Sequence, residues 1–234
     1  ENFGKAAPLL ESISKNSSDP NYKAANYYYG LIAYSNANYG SGLEAFRKIE
    51  KEAPYQKIVP FYVANIYYAQ GRSDEALAYG ESALKGADGY YDVPMKELIG
   101  HAWFEKGNYA KALPYLEDYV NKTKKVSRET LYQLSYCYYQ ANQLNKAVEG
   151  LKQLSGGEDS LSQNAMYILG DAYLRLGDKP NARNAFSFCA ANSTNAAQQE
   201  VSKFNYAKLS YELGFQDVAL NDFRKFLDEY PRST

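Results

Sequence analysis

Cysteine, histidine and tryptophan are scarce: the 234 residues hold two Cys, one His and one Trp. A single His removes most zinc sites and the usual general-base arrangements. Two Cys, Cys137 and Cys189, are too few for a disulfide framework. Charge of one sign is also missing, with 26 Lys+Arg against 27 Asp+Glu and a net charge of −1. That balance argues against a nucleic-acid or anionic-membrane surface, which needs a basic excess. No stretch approaches the roughly 20 apolar residues that span a bilayer, so no direct membrane insertion is expected. What the chain does have is tyrosine, 25 of them, with 45% hydrophobic and 23% charged residues. This is the composition of a folded protein rather than a disordered one.

Self-similarity organises the chain. Small residues inside apolar stretches recur as Gly30, Ala64, Gly100, Ser135, Gly170 and Ala207, at separations of 34, 36, 35, 35 and 37 residues. Columns can be counted outward from these anchors. One before stands a bulky group, as in Val63, Ile99 and Leu169; three after come Tyr67, Trp103 and Tyr173. Seven after come Ala37, Gly71, Gly107, Asn142, Gly177 and Gly214. Twelve after are small residues such as Ala76, Ala112 and Ala182, and sixteen after are Phe46, Gly80, Leu116, Leu151, Phe186 and Phe223. The small columns predict two helices in close approach, and the bulky ones fill the space between stacked hairpins. The column seven after each anchor suits a left-handed residue closing a helix. The unit is helix, short turn, helix, short turn, six times over.

This pattern resembles the tetratricopeptide repeat (TPR) family. The best-matched stretches are NAMYILGDAYLRLGDKPNARNAF at 164–186 and FYVANIYYAQGRSDEALAYGESAL at 61–84. The resemblance implies an all-α, right-handed α-solenoid of stacked antiparallel hairpins. Six full repeats, 21–54, 55–90, 91–125, 126–160, 161–197 and 198–234, follow a half repeat at 1–20. In that half repeat Phe3, Ala6, Leu10 and Ile13 match the second-helix columns. The expectation is one solenoid domain over 1–234, a fragment of a longer protein, since it starts at Glu1 and no polar helix caps the last hairpin.

The resemblance also implies that first helices line an inner, concave side. Residues three before and four after each anchor are seven apart and share a stripe. Three before gives Tyr27, Phe61, Tyr132 and Tyr167, with Glu97 and Phe204 completing the column. Four after gives Tyr34, Tyr68, Phe104, Tyr139 and Tyr211, with Leu174. Between them, one after each anchor, lie Asn65, His101, Tyr136, Asp171 and Lys208, with Leu31. These rings are expected to stand apart from the packing columns and to form a ladder for an extended peptide or partner helix. The carboxylate clamp by which some TPR proteins hold chaperone tails needs cations there. Here those places hold Tyr27, Leu31, Phe61, Asn65, Glu97 and His101, and Asn65 alone fits.

The chemistry of catalysis is missing. His101 has no nucleophile motif and no second His beside it. Cys137 and Cys189 read as buried small hydrophobes. Gly156-Gly157 has no Lys-Ser/Thr after it, so it is a loop and not a phosphate cradle. Lys122, Lys124, Lys125 and Arg128 read as a solvated hairpin end, and Glu158 and Asp159 as solubilising charges. The expectation is a non-enzymatic interaction scaffold without metal or cofactor. Its partner is a protein or peptide, with self-association through the ends possible in principle. A structural spacer, or a carbohydrate-binding surface built on Tyr, are the alternatives. The ending FRKFLDEYPRST at 223–234 is similar to bacterial periplasmic TPR proteins of the Tol–Pal and outer-membrane assembly type. That likeness points to the periplasm or the outer membrane, with the cytoplasm as the alternative.

Overall fold

A computed structural model describes residues 3–86 and 89–233, with side chains from residue 6 onward. The Phe3 side chain of the half repeat, and the terminal residues Glu1 and Thr234, lie outside the described residues. Among those described there are thirteen α-helices and no strand. A single helix α1 (Phe3–Ser14) is followed by α2 (Tyr22–Ser35) and α3 (Tyr39–Arg47). A 3₁₀ turn, Tyr55–Lys57, leads into α4 (Val59–Ala69) and α5 (Ser73–Leu84), then α6 (Asp92–Glu105) and α7 (Tyr109–Lys122). The remaining pairs are α8 (Arg128–Gln140) with α9 (Leu144–Lys152), α10 (Ser160–Arg175) with α11 (Lys179–Ala191), and α12 (Ala196–Glu212) with α13 (Gln216–Glu229). The architecture is thus all-α, six helix hairpins after one leading helix.

The chain forms two compact units, Glu1–Asn108 with Pro114–Thr123, and Tyr109–Leu113 with Lys124–Thr234. In the first, α1 packs on α2 and α2 on α3, and α2, α4 and α6 neighbour one another as a row of first helices. Its core holds Phe46, Ile49, Val63, Ile66, Leu77, Met95 and Ile99. In the second, α8, α10 and α12 form the corresponding row. Its core holds Leu151, Leu154, Met166, Leu169, Phe186, Cys189 and Leu209.

The repeat columns have direct physical counterparts. All six residues seven after an anchor have positive φ, from 57° at Ala37 and 58° at Asn142 to 86° at Gly214. Each closes its helix with the same two backbone bonds. At the first turn, Ala37 N–H donates to Tyr34 and Asn38 N–H to Ala33; at the fifth, Gly177 N–H donates to Leu174 and Asp178 N–H to Tyr173. This is the Schellman closure, which satisfies carbonyls that a bare helix end would leave without partners. The anchors are small because the residue sixteen later fills their space. A Cβ on Gly30 would lie 2.6 Å from the Phe46 ring, one on Gly100 2.6 Å from Leu116, and one on Gly170 2.8 Å from Phe186. The second hairpin inverts the pair, with Ala64 as anchor and Gly80 sixteen later. The space at Gly80 is filled from the next hairpin by Ile99 and Met95, 3.2 Å from where a Cβ would stand.

Helix starts differ between the units. In the second, side chains cap the entries: Ser127 Oγ accepts from Thr130 N–H, Asp159 Oδ1 from Ser162, Asp178 Oδ1 from Asn181, and Asn195 Oδ1 from Gln198. Asp159 is therefore not merely a solubilising charge. It caps α10, and the Arg128 guanidinium donates to both its oxygens at 2.6 and 3.3 Å. That pairing, with the Ser162 amide behind it, holds the Asp159 carboxyl well below the usual carboxylate range. Cys137 and Cys189 are free thiols inside the core.

Candidate functional site

The predicted stripe begins on α4, where Phe61, Asn65 and Tyr68 are spaced to share one face. Each is half-buried. Opposite them, on α6, stand Glu97 and His101 with Pro94 and Leu98, and these seven residues line a shallow pocket of about 200 Å³. Asn65 Nδ2 donates to the Phe61 carbonyl at 2.8 Å, one turn back on its own helix. That bond turns the amide so that its carbonyl oxygen is left as an acceptor. His101 Nε2 lies 3.8 Å from Glu97 Oε1. Glu97 also takes the Tyr119 hydroxyl, which together with burial raises the pKa of that phenol. At the rim the Tyr68 hydroxyl donates to Glu105 Oε1 at 2.5 Å. Among the described residues no lysine or arginine lines the pocket.

Of the expected contact residues in the first unit, Phe61, Asn65, Tyr68 and His101 come together in that pocket. Tyr27 and Tyr34 do not. Tyr27 packs against Tyr28 and Tyr55, each with ring centroids at 5.3 Å. Tyr34 meets Tyr62 at 5.6 Å and Tyr39 at 6.3 Å. Phe104 is half-buried on α6 outside the pocket lining. Counting ring columns alone passes over Glu97, Pro94 and Leu98. It also passes over Tyr91, whose ring stacks on Phe61 at 4.8 Å. The column two before the anchors, which carries Leu98, is the signal that would have added that residue to the pocket.

In the second unit, Tyr132, Tyr136 and Tyr139 run along α8 with successive centroids 6.0 and 6.1 Å apart. Burial foremost pushes the Tyr132 phenol up to about 12. The Tyr139 hydroxyl donates to Asp171, and the Arg175 guanidinium lies over its ring at 4.9 Å. Tyr167 turns its ring toward Phe186 of the core, 6.3 Å away. Lys208 and Tyr211 on α12 are exposed, and Tyr211 lines an open cleft with Gln216, Leu220 and Phe223 of α13.

One expectation needs correcting. The rings do not stand apart from the packing columns. Tyr27, Tyr34, Phe61 and Tyr68 pack against the first core, and Tyr132, Tyr139 and Tyr167 against the second. A tyrosine ring covers enough area to seal a hairpin junction on one side and present an edge and hydroxyl on the other.

Comparisons with known proteins agree with this fold. The family described as "Tetratricopeptide repeat" matches residues 1–57, and "Anaphase-promoting complex, cyclosome, subunit 3" matches residues 105–189. YrrB, solved as "a TPR protein with an unusual peptide-binding site", superposes with a TM-score of 0.63 at 18% identity, over 81% of this chain and 94% of that one. The chain has the TPR fold. The C-terminal part of a TPR protein from Cytophaga hutchinsonii is similar over 100% of this chain and 92% of its own, with a TM-score of 0.65 at 14% identity. MamA is similar over 73% of this chain and 95% of its own, at 18% identity and a TM-score of 0.56. By sequence, response regulator aspartate phosphatase E of Bacillus subtilis is 24% identical over 177 residues, 69% of this chain. The chain spans about half the length of this curated relative, covering 47% of it.

Proposed function

We propose that this TPR chain is a non-catalytic interaction scaffold that holds an extended peptide against the first helices of its first unit. The observation that carries the reading is the pocket between α4 and α6. It combines two half-buried aromatic residues with the apolar Pro94 and Leu98 and the polar groups of Asn65, Glu97 and His101, the usual make-up of a small recognition pocket. The similarity to YrrB, solved as a TPR protein with an unusual peptide-binding site, supports the same use. A bacterial envelope setting belongs to this reading on the strength of the ending 223–234 alone.

The test is selection of random dodecapeptides on the immobilised protein, repeated on Asn65→Arg. Asn65 bonds only to its own helix, so a long side chain there fills the pocket without breaking a contact between helices. Retained peptides should lose at least tenfold in affinity on Asn65→Arg while the helical circular dichroism is unchanged. No retained peptide, or equal binding by the variant, refutes the reading.

A second reading, self-association, is favoured by the last hairpin. Leu77 and Leu220 occupy the same repeat position, yet Leu77 is 3% exposed and Leu220 53%. Leu227, Phe215 and Phe204 are also exposed on this hairpin. Light scattering over a concentration series checks it: a mass that stays at one chain excludes association through this face.

A further inference from the structure

We infer that the α4–α6 pocket takes a cationic side chain, so that the peptide it holds carries an arginine or lysine at this point. The inference rests on the peptide-binding reading and goes beyond it by naming the chemistry of the anchor. Three observations point the same way. Two groups of the lining can accept a hydrogen bond: the Asn65 side-chain carbonyl, whose amide nitrogen donates to Phe61, and the Glu97 carboxylate. Two aromatic residues, Phe61 and Tyr68, belong to the lining, and an aromatic ring attracts a cation over its open face. A second carboxylate, Glu105, is held at the rim by the Tyr68 hydroxyl. No lysine or arginine among the described residues lines the pocket to neutralise these groups. Glu97 also engages His101 and Tyr119, and these contacts fix where its carboxylate sits.

A guanidinium or ammonium entering between the rings keeps its stem on Leu98 and Pro94 and brings its donors to acceptors. An acidic peptide would instead place like charges together, and a purely apolar side chain would bury the Asn65 oxygen without a donor. The complementarity is the reverse of a carboxylate clamp.

The experiment uses the same dodecapeptide selection, followed by fluorescence anisotropy with retained peptides resynthesised as arginine and citrulline versions. Citrulline keeps the shape of arginine and removes its charge. Retained sequences should share an arginine or lysine, and citrulline should weaken binding about tenfold, the range of one charge-assisted hydrogen bond. On Glu97→Gln the arginine and citrulline versions should bind alike. Asn65→Asp adds a negative charge without touching Glu97 and should strengthen the arginine peptide several-fold, which keeps the test intact if Glu97→Gln folds poorly. Retained peptides that lack a shared basic residue, or that bind Asn65→Asp no better, overturn the inference while peptide binding itself stands. A selection that retains nothing overturns both.

Discussion

Gly170→Ala adds one methyl group at the point where α10 and α11 meet. The new Cβ would lie 2.8, 2.8 and 2.9 Å from three carbons of the Phe186 ring. Carbon atoms rest at about 3.5–4.0 Å, so the ring must withdraw by most of an ångström. Phe186 is 2% exposed and enclosed by core neighbours, so it has nowhere to withdraw. Overpacking of this kind costs about 1–3 kcal/mol, and three simultaneous contacts with a rigid ring put it near 3. Alanine returns about 1 kcal/mol through its better helix propensity. The expected net loss is about 2 kcal/mol, read as a lower urea midpoint at unchanged slope in far-ultraviolet circular dichroism. The decisive measurement is the double-mutant cycle with Phe186→Ala. That change alone should cost about 3–5 kcal/mol, yet the double variant should fall short of the sum by about 3 kcal/mol, because no ring is left to collide with. Additive losses, or a more stable Gly170→Ala, would refute the argument that the anchors are small to admit the residue sixteen later.

Further outcomes follow from the same structure. Ala37 holds φ 57° where four other repeats use glycine. Ala37→Gly should stabilise by about 0.5–1 kcal/mol, the left-handed penalty less the extra freedom of glycine in the unfolded chain, measured by urea titration. Burial pushes the Cys137 thiol up to about 12 and raises Cys189 in the same direction. Neither should react with a thiol reagent at neutral pH until urea unfolds the protein, and two equivalents should react then. Asp159 is depressed below its ordinary 3.8 by Arg128. A depressed folded pKa gives stability that is present above the unfolded value and lost as pH falls through the folded one. The urea-midpoint gap between the wild type and Asp159→Asn should thus be full at neutral pH and close progressively below about pH 4.

The hairpins were legible because their constraints are short-range and steric. A left-handed residue seven after each anchor leaves its mark six times, and a ring or branched chain sixteen after the anchor leaves its mark five times, with Gly80 the exception. Gly80 breaks the bulky column sixteen after the anchors. Its reason, Ile99 and Met95 arriving from the next hairpin, belongs to packing between repeats, where no fixed spacing within one unit records it. The site was half legible. Residue spacing put Phe61, Asn65, Tyr68 and His101 on the right faces, but how deeply each ring is buried depends on the neighbouring hairpin. Glu97 looked like an interruption in a column of rings, and in the fold it is the pocket's carboxylate. Asp159 looked like a surface charge because its cap on α10 and its bond to Arg128, 31 residues away, need the hairpin to exist first.

Six first helices end in one and the same left-handed closure, and the irregularity in period falls elsewhere, in the segments that follow each second helix. The joint inside a hairpin is therefore a standard part, while the joint between hairpins is adjustable. Residues could be inserted after Lys85 at the cost of a longer loop, whereas after Asn192 an insertion would also break the bonds that the buried Gln163 side chain makes to Asn192, Thr194 and Asn195. One residue added between Tyr173 and Lys179 would put the closing amides out of step with their carbonyls and tilt one rod of the pair against the other. Natural variation in length among chains built this way should gather at the first kind of joint and leave the second untouched.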